Sequence, residues 1–238
     1  MRKLPVKPVS PPAYLQKAKE GNVPWDDFTK TPNGYALRQL KANVQAGLCG
    51  YCERMLVDES GFLPKGVAHI DHFYQKSRPG YEHLTYDWDN LVLSCECGDS
   101  CGKHKDRQSI ESKDIINPNV EDARSMMTFI EVPRRKGESY RIEAKEIEGP
   151  NRQRAKNTIE ALQLNCDRLS ALRYNRWLAF KDSVNFLVEY AAGMTKNDEV
   201  DLTLLQQEMQ KVLHDMERGE FPSAMVARAM AMLTPLTA

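Results

Sequence analysis

No apolar run in the 238 residues approaches the length of a bilayer-spanning helix, so no helical membrane span is expected. The basic start Met1-Arg2-Lys3-Leu4-Pro5 is not followed by an apolar stretch, so no secretory signal is read and a cytoplasmic protein is expected. Net charge is lacking too. With 33 basic and 33 acidic residues there is no global field to draw in a polyanion, and any nucleic-acid contact must be local. Internal repeats and low-complexity tracts are absent, as is the Gly-x-x-x-x-Gly-Lys-Ser/Thr loop that cradles ATP phosphates. What is present, 28% charged and 41% hydrophobic residues, suits a soluble globular chain rather than a disordered one. The length allows one large domain or two small ones, read here as one catalytic core with helical additions.

Five of the six cysteines fall between positions 49 and 101. In a reducing compartment such clustering reads as metal ligation rather than a disulfide framework. Cys49-Gly-Tyr-Cys52 has the two-residue gap that lets a knuckle present both sulfurs to one tetrahedral zinc, and Cys95-Glu-Cys97-Gly-Asp-Ser-Cys101 offers three candidates for the other two ligands. The competing reading, buried or redox thiols, fits Cys166 alone in the helical region better than it fits the cluster.

Four stretches follow from the patterning. Residues 1–46 form an N-terminal arm and lead-in helix, of which residues 1–13, with Pro5, Pro8, Pro11 and Pro12, are expected to be extended. The lead-in helix runs from about Asn33 to Ala46, with Leu37, Leu40 and Val44 at helical spacing and Gly47 as its stop. Residues 47–118 hold the cysteine knuckles and an alternating strand over Val67–Phe73. Residues 119–150 contain a β-hairpin read over 126–147, turning at Lys136-Gly137, with Phe129, Val132, Tyr140 and Ile142 at strand spacing. Gly149-Pro150 marks a boundary, and residues 151–238 are read as two or three packed helices. Their stripes are Ile159, Leu162, Leu169 and Leu172, then Leu202, Leu205, Met209, Val212 and Met216.

Between the cysteine clusters lies His69-Ile70-Asp71-His72. On a strand, residues 70 and 72 share one face and 69 and 71 the other. An Asp followed by a His at a strand end can put a carboxylate oxygen on a metal and an imidazole near water. Phosphodiester hydrolysis needs both, a base for the attacking water and a cation for the charge on phosphate and leaving oxygen. Asn90, in Trp88-Asp89-Asn90-Leu91, can fix the loop that orients the His, or simply form a turn. Lys103-His104-Lys105-Asp106-Arg107 is the densest candidate for a local nucleic-acid contact, and by itself it reads first as an ordinary solvated helix face.

The order Cys-x-x-Cys, Asp-His, Asn, then a second knuckle followed by Lys is similar to that of zinc-clasped HNH endonucleases. Cys49–Glu53, Ile70–Ser77 and Tyr86–Leu91 resemble the PtuB family, the HNH component of Septu-type and retron-associated antiphage systems. The lead-in helix Arg38–Gly47 and the stretch Ala155–Asn165 with Arg168-Leu169 resemble it as well. The resemblance implies an α+β fold with a ββα-metal core, a small β-hairpin and a C-terminal helical region. It implies His72 as general base, Asp71 as ligand of a catalytic Mg²⁺ or Mn²⁺, Asn90 as the loop-fixing residue, and a structural zinc on Cys49, Cys52, Cys95 and Cys101. Cys95 fits that pattern better than Cys97. It also implies a PtuA-like ATPase of the ABC/SMC class as partner, with ATP binding left to that partner. The helical tail would dock on it. DNA, or else RNA, would be the substrate, and a retron reverse transcriptase complex a further partner.

One position departs from the pattern. Gly102 stands where many HNH sites carry a metal-binding His or Asn. His104 is the first substitute and Asp106 the second. His83 and His214 are assigned to surface and helix packing. Two other classes compete with the enzyme: a zinc-ribbon binding module without chemistry, which has no use for Asp71 and His72 between its knuckles, and an interaction subunit with a vestigial site, for which Gly102 is the relevant feature.

Overall fold

The computed structural model describes residues 1–4, 10–134, 137–194 and 202–233. Pro5, Pro8 and the hairpin turn residue Lys136 lie outside them, as does the side chain of Leu202. The described chain mixes helices with two small sheets and forms two compact units, residues 1–127 with 144–164, and residues 128–143 with 165–238.

The first unit opens with three helices, α1 (Ala13–Glu20), α2 (Trp25–Phe28) and α3 (Pro32–Val44). The first two carry no long apolar stripe and were not anticipated. α3 starts because the Thr31 hydroxyl accepts from Gly34 N–H at 3.2 Å and Pro32 needs no amide partner in the first turn. It ends in a Schellman turn. Gly47 N–H reaches Ala42 O at 2.7 Å and Ala46 N–H reaches Asn43 O at 3.2 Å, with Ala46 and Gly47 both at positive φ. A side chain at Gly47 would meet Val57 Cγ2 at 2.5 Å, so the turn that swings the chain into Cys49 depends on glycine there.

β1 (Ala68–His72) pairs antiparallel with β2 (Leu91–Cys95), with Ala68 opposite Cys95 and His72 opposite Leu91. α4 (Cys101–Lys105) packs on both strands, as does α3. Covered in this way, Ile70, Asp71 and His72 are all buried. The edge of β2 is closed as well, because the buried Gln45 carboxamide accepts from Leu93 N–H at 2.8 Å and donates to Leu93 O at 3.0 Å.

β3 (Met127–Arg134) and β4 (Gly137–Ala144) pair within residues 127–144. Among the described residues four helices then follow in place of two or three: α5 (Pro150–Ala161), α6 (Asp167–Met194), α7 (Leu202–Glu217) and α8 (Pro222–Leu233). The stripe Ile159–Leu172 is broken because Gln163 takes a left-handed φ of 46°, which ends α5. α5 belongs to the first unit, while α6, α7 and α8 pack on one another in the second. There the buried Tyr140 ring meets Trp177 edge-on at 6.0 Å, and Arg228 bonds both Tyr140 Oη and Glu131 Oε2 at 3.1 Å. His83 and His214 are exposed. No described helix is long and apolar enough to cross a membrane.

Candidate active site

Four buried thiols meet at one end of the small sheet. The sulfurs of Cys49, Cys52, Cys95 and Cys101 all lie within 4.8 Å of one another, and Cys49 Sγ is 3.8 Å from Cys101 Sγ. Sulfurs about 2.3 Å from a tetrahedral zinc stand about 3.8 Å apart, so the cluster has the dimensions to hold such a metal. Cys97 is outside it, its sulfur 3.5 Å from Arg54 Nη1. Backbone geometry sets the cluster. Glu53 N–H returns to Cys49 O at 3.0 Å in the first knuckle, where a Cβ on Gly50 would strike Val92 Cγ1 at 2.5 Å. Cys101 sits at φ 59° with its N–H on Leu162 O at 2.8 Å. Burial opposes charge on Cys49, but hydrogen bonds from the other three thiols outweigh it and hold that thiol well below its usual pKa. Cys101 is held well above.

His72 ends β1 at the other end of the sheet from Cys95, opposite Leu91. Its Nε2 lies 3.0 Å from Thr85 O. A carbonyl can only accept, so Nε2 carries the proton and Nδ1 keeps its lone pair. Trp25 of α2 packs edge-on against the imidazole with ring centroids 4.5 Å apart, and Phe28 and Tyr86 back it. Burial pushes the His72 pKa down to about 4, against the Thr85 bond and with help from Lys76 and Lys105. The ring is therefore neutral at physiological pH, the state a base requires. Trp25 was missed from sequence. A Pro-Trp pair opening a single helical turn is too short a signal to pick out.

Asp71 faces the other way, onto α4. Its Oδ2 accepts from Tyr51 Oη and lies 3.4 Å from Lys105 Nζ. Burial raises its pKa, Asp106 adds to this, and Lys105 works against it. The Lys105 ammonium, itself buried, donates to His72 O at 3.0 Å and Asp106 Oδ1 at 2.9 Å. Gly102 has a steric reason here. A Cβ on it would lie 2.8 Å from Asp71 Cγ, so the carboxylate fills the space that a side chain at 102 would need.

Asp71, His72, Gln75 and Asp106 line one cleft of about 230 Å³. His104 is not among its lining residues. Its Nδ1 lies 2.9 Å from Ala161 O of α5, because on a helix the step from 104 to 105 turns the side chain by about 100°. Asn90 is buried in the connection between the strands. Its Oδ1 accepts from Tyr74 N–H at 2.7 Å, and its Nδ2 donates to Tyr74 O at 3.0 Å and Leu84 O at 3.2 Å. Leu84 immediately precedes Thr85, the residue that holds His72.

A retron Ec83 protein of Escherichia coli, named as a candidate HNH endonuclease, is 31% identical over 189 residues, 66% of this chain and 71% of that protein. The chain belongs to the PtuB-type HNH endonuclease family of antiphage systems. A Septu protein PtuB from Bacillus mycoides (strain KBAB4) is 32% identical over 66 residues, 26% of this chain and 22% of that protein. No family model and no solved structure matches the chain. For a PtuB-type chain the buried cysteine quartet is a site that could hold a metal such as zinc. Thiolate donors favour zinc or another soft ion there, while in the cleft the Lys105 ammonium lies 3.4 Å from Asp71 Oδ2 and 2.9 Å from Asp106 Oδ1.

Proposed function

We propose that the protein is a metal-dependent endonuclease, with the two strands and α4 serving as a ββα-metal core and His72 as the general base. The observation that carries this reading is the His72 imidazole, neutral, with Nε2 tied to Thr85 O and its lone pair on Nδ1, in one cleft with Asp71 and Asp106. Nδ1 would take the proton of an attacking water as the water oxygen approaches phosphorus. Asp71 and Asp106, both hard oxygen donors, would hold a divalent ion in place of the Lys105 ammonium that now lies against the two carboxylates. That ion would supply charge neutralisation for the phosphate and the leaving oxygen. Asn90, through Tyr74 and Leu84, would hold the loop that carries Thr85. Zinc on Cys49, Cys52, Cys95 and Cys101 would be structural, because four protein ligands close its coordination shell.

DNA is the substrate we propose, within an antiphage complex containing an ABC/SMC-type ATPase. The family membership supports this, and so do the exposed Leu178 and Phe186 on α6 and Leu204 on α7, which offer apolar surface for a partner. The test is cleavage of DNA and of RNA by purified protein with Mg²⁺ or Mn²⁺, compared with His72→Ala. Wild-type cleavage and a loss of about 10²- to 10⁴-fold in the variant are expected. Undiminished cleavage by His72→Ala would end the assignment.

A second reading has one observation in its favour. Lys105 already places a positive charge beside Asp71 and Asp106, as a zinc-ribbon binding subunit without a catalytic ion would require. Mg²⁺-independent nucleic-acid binding with no cleavage under any divalent ion would favour it.

A further inference from the structure

A second concavity, of about 480 Å³, opens between α3 and the segment leading into β1. Tyr35 and Phe62, 48% and 60% exposed, both line it. Leaving two aromatic rings in water forgoes the burial that normally places such side chains in a core. The Arg38 guanidinium lies over the Tyr35 ring, 4.4 Å from its centroid, and is steadied by a bond from Nη1 to Thr29 O at 3.3 Å. Lys65 is exposed on the same wall. The acidic group present, Glu96, is already engaged by Lys103 and by His69 Nδ1 at 2.7 Å, so it does not set the sign of the groove. His69 lines both this groove and the cleft of His72.

We infer that this groove binds a single-stranded nucleic-acid segment next to the phosphate placed at His72. The inference rests on the nuclease reading. Exposed π faces with a stacked guanidinium match an unpaired base, and Arg38 with Lys65 matches the adjoining phosphate. A duplex keeps its base faces stacked inside, so it cannot use Tyr35 and Phe62 in this way. The net charge of zero leaves no long-range attraction, and local stacking with two cations supplies the affinity instead.

The test uses full-length His72→Ala protein, to keep the probe intact, with no added divalent ion. Anisotropy of labelled oligodeoxythymidylate, oligouridylate and a blunt DNA duplex is compared. Single strands are expected to bind more tightly than duplex. Phe62→Ala and Tyr35→Ala are each expected to weaken single-strand binding about tenfold or more, with Phe62→Trp restoring it. The two single strands distinguish a DNA from an RNA ligand. In parallel, hydrolysis of bis(p-nitrophenyl) phosphate, a diester without a nucleobase, is followed in wild-type protein with Mg²⁺ or Mn²⁺. Equal affinity for duplex and single strand, or binding unaffected by Phe62→Ala and Tyr35→Ala, overturns the groove assignment. Absence of diester hydrolysis in wild type overturns the nuclease reading by a separate readout.

Discussion

Asn90 and Tyr74 are joined through both main-chain groups of Tyr74, the Asn90 carboxamide accepting from its N–H at 2.7 Å and donating to its carbonyl at 3.0 Å. The same Nδ2 reaches Leu84 O, and Thr85 O then holds His72 Nε2. The connection between the strands is thus pinned at both ends of one side chain. Asn90→Ala should release it and lower cleavage by about 10²-fold, the scale of a misplacement of about 1 Å. Metal content should be unchanged. Cleavage at the wild-type rate in this variant would remove Asn90 from the positioning role.

Asp106 and His104 give opposite expectations despite lying two residues apart. Asp106→Asn should raise the Mg²⁺ concentration needed for half-maximal cleavage, because the carboxylate shares the cleft with Asp71. His104→Ala should leave the Mg²⁺ requirement alone and cost about 1 kcal/mol of stability through its lost bond to Ala161 O. Metal titrations of cleavage alongside urea unfolding separate the two. A shifted Mg²⁺ requirement in His104→Ala alone would return that residue to the metal site.

Cys97 and Cys101 differ in the same way for the structural metal. Cys101→Ser should yield protein without bound zinc and with an unfolded first unit, since structural zinc sites contribute on the order of 10 kcal/mol to folding. Cys97→Ser should keep full zinc content and fold normally. Metal analysis and circular dichroism check both, and zinc loss from Cys97→Ser would contradict the ligand set.

Lys41 gives a pH dependence. It is buried, with Nζ 2.8 Å from Trp88 O and 3.6 Å from the centre of the Trp88 ring, and burial pushes its pKa down to about 7 against the charges of Asp89 and Asp87. An unfolded lysine near the usual 10.4 binds its proton first, so between about pH 7 and 10 the unfolded state holds more protons and stability rises with pH. This contribution is lost as pH falls through that window. Lys41→Met should flatten the slope, a difference on the order of a few kcal/mol across the window. Urea unfolding at several pH values reads the slope directly, and an unchanged slope would mean that Lys41 titrates normally in the fold.

The sequence by itself determined the local chemistry. The two-residue gap between Cys49 and Cys52 brings two of the four clustered sulfurs together locally, alternation marks the strand that carries Asp71 and His72, and Asn90 stands immediately before β2. These are short-range properties of spacing and residue type. Tertiary structure decided what depends on the direction in which a short element faces. Cys95 rather than Cys97 joins the quartet because β2 ends at Cys95, and Cys97, beyond the strand, lies beside Arg54 instead. α4 meets the sheet through Gly102, the position that leaves room for the Asp71 carboxylate. That contact turns Lys105 toward Asp71 and His104 toward α5. Trp25 reaches His72 from a four-residue helix 47 positions away, and no periodicity within so short a segment encodes the contact. The side chains around His72 come from elements distant in sequence, and only the packed chain brings them together.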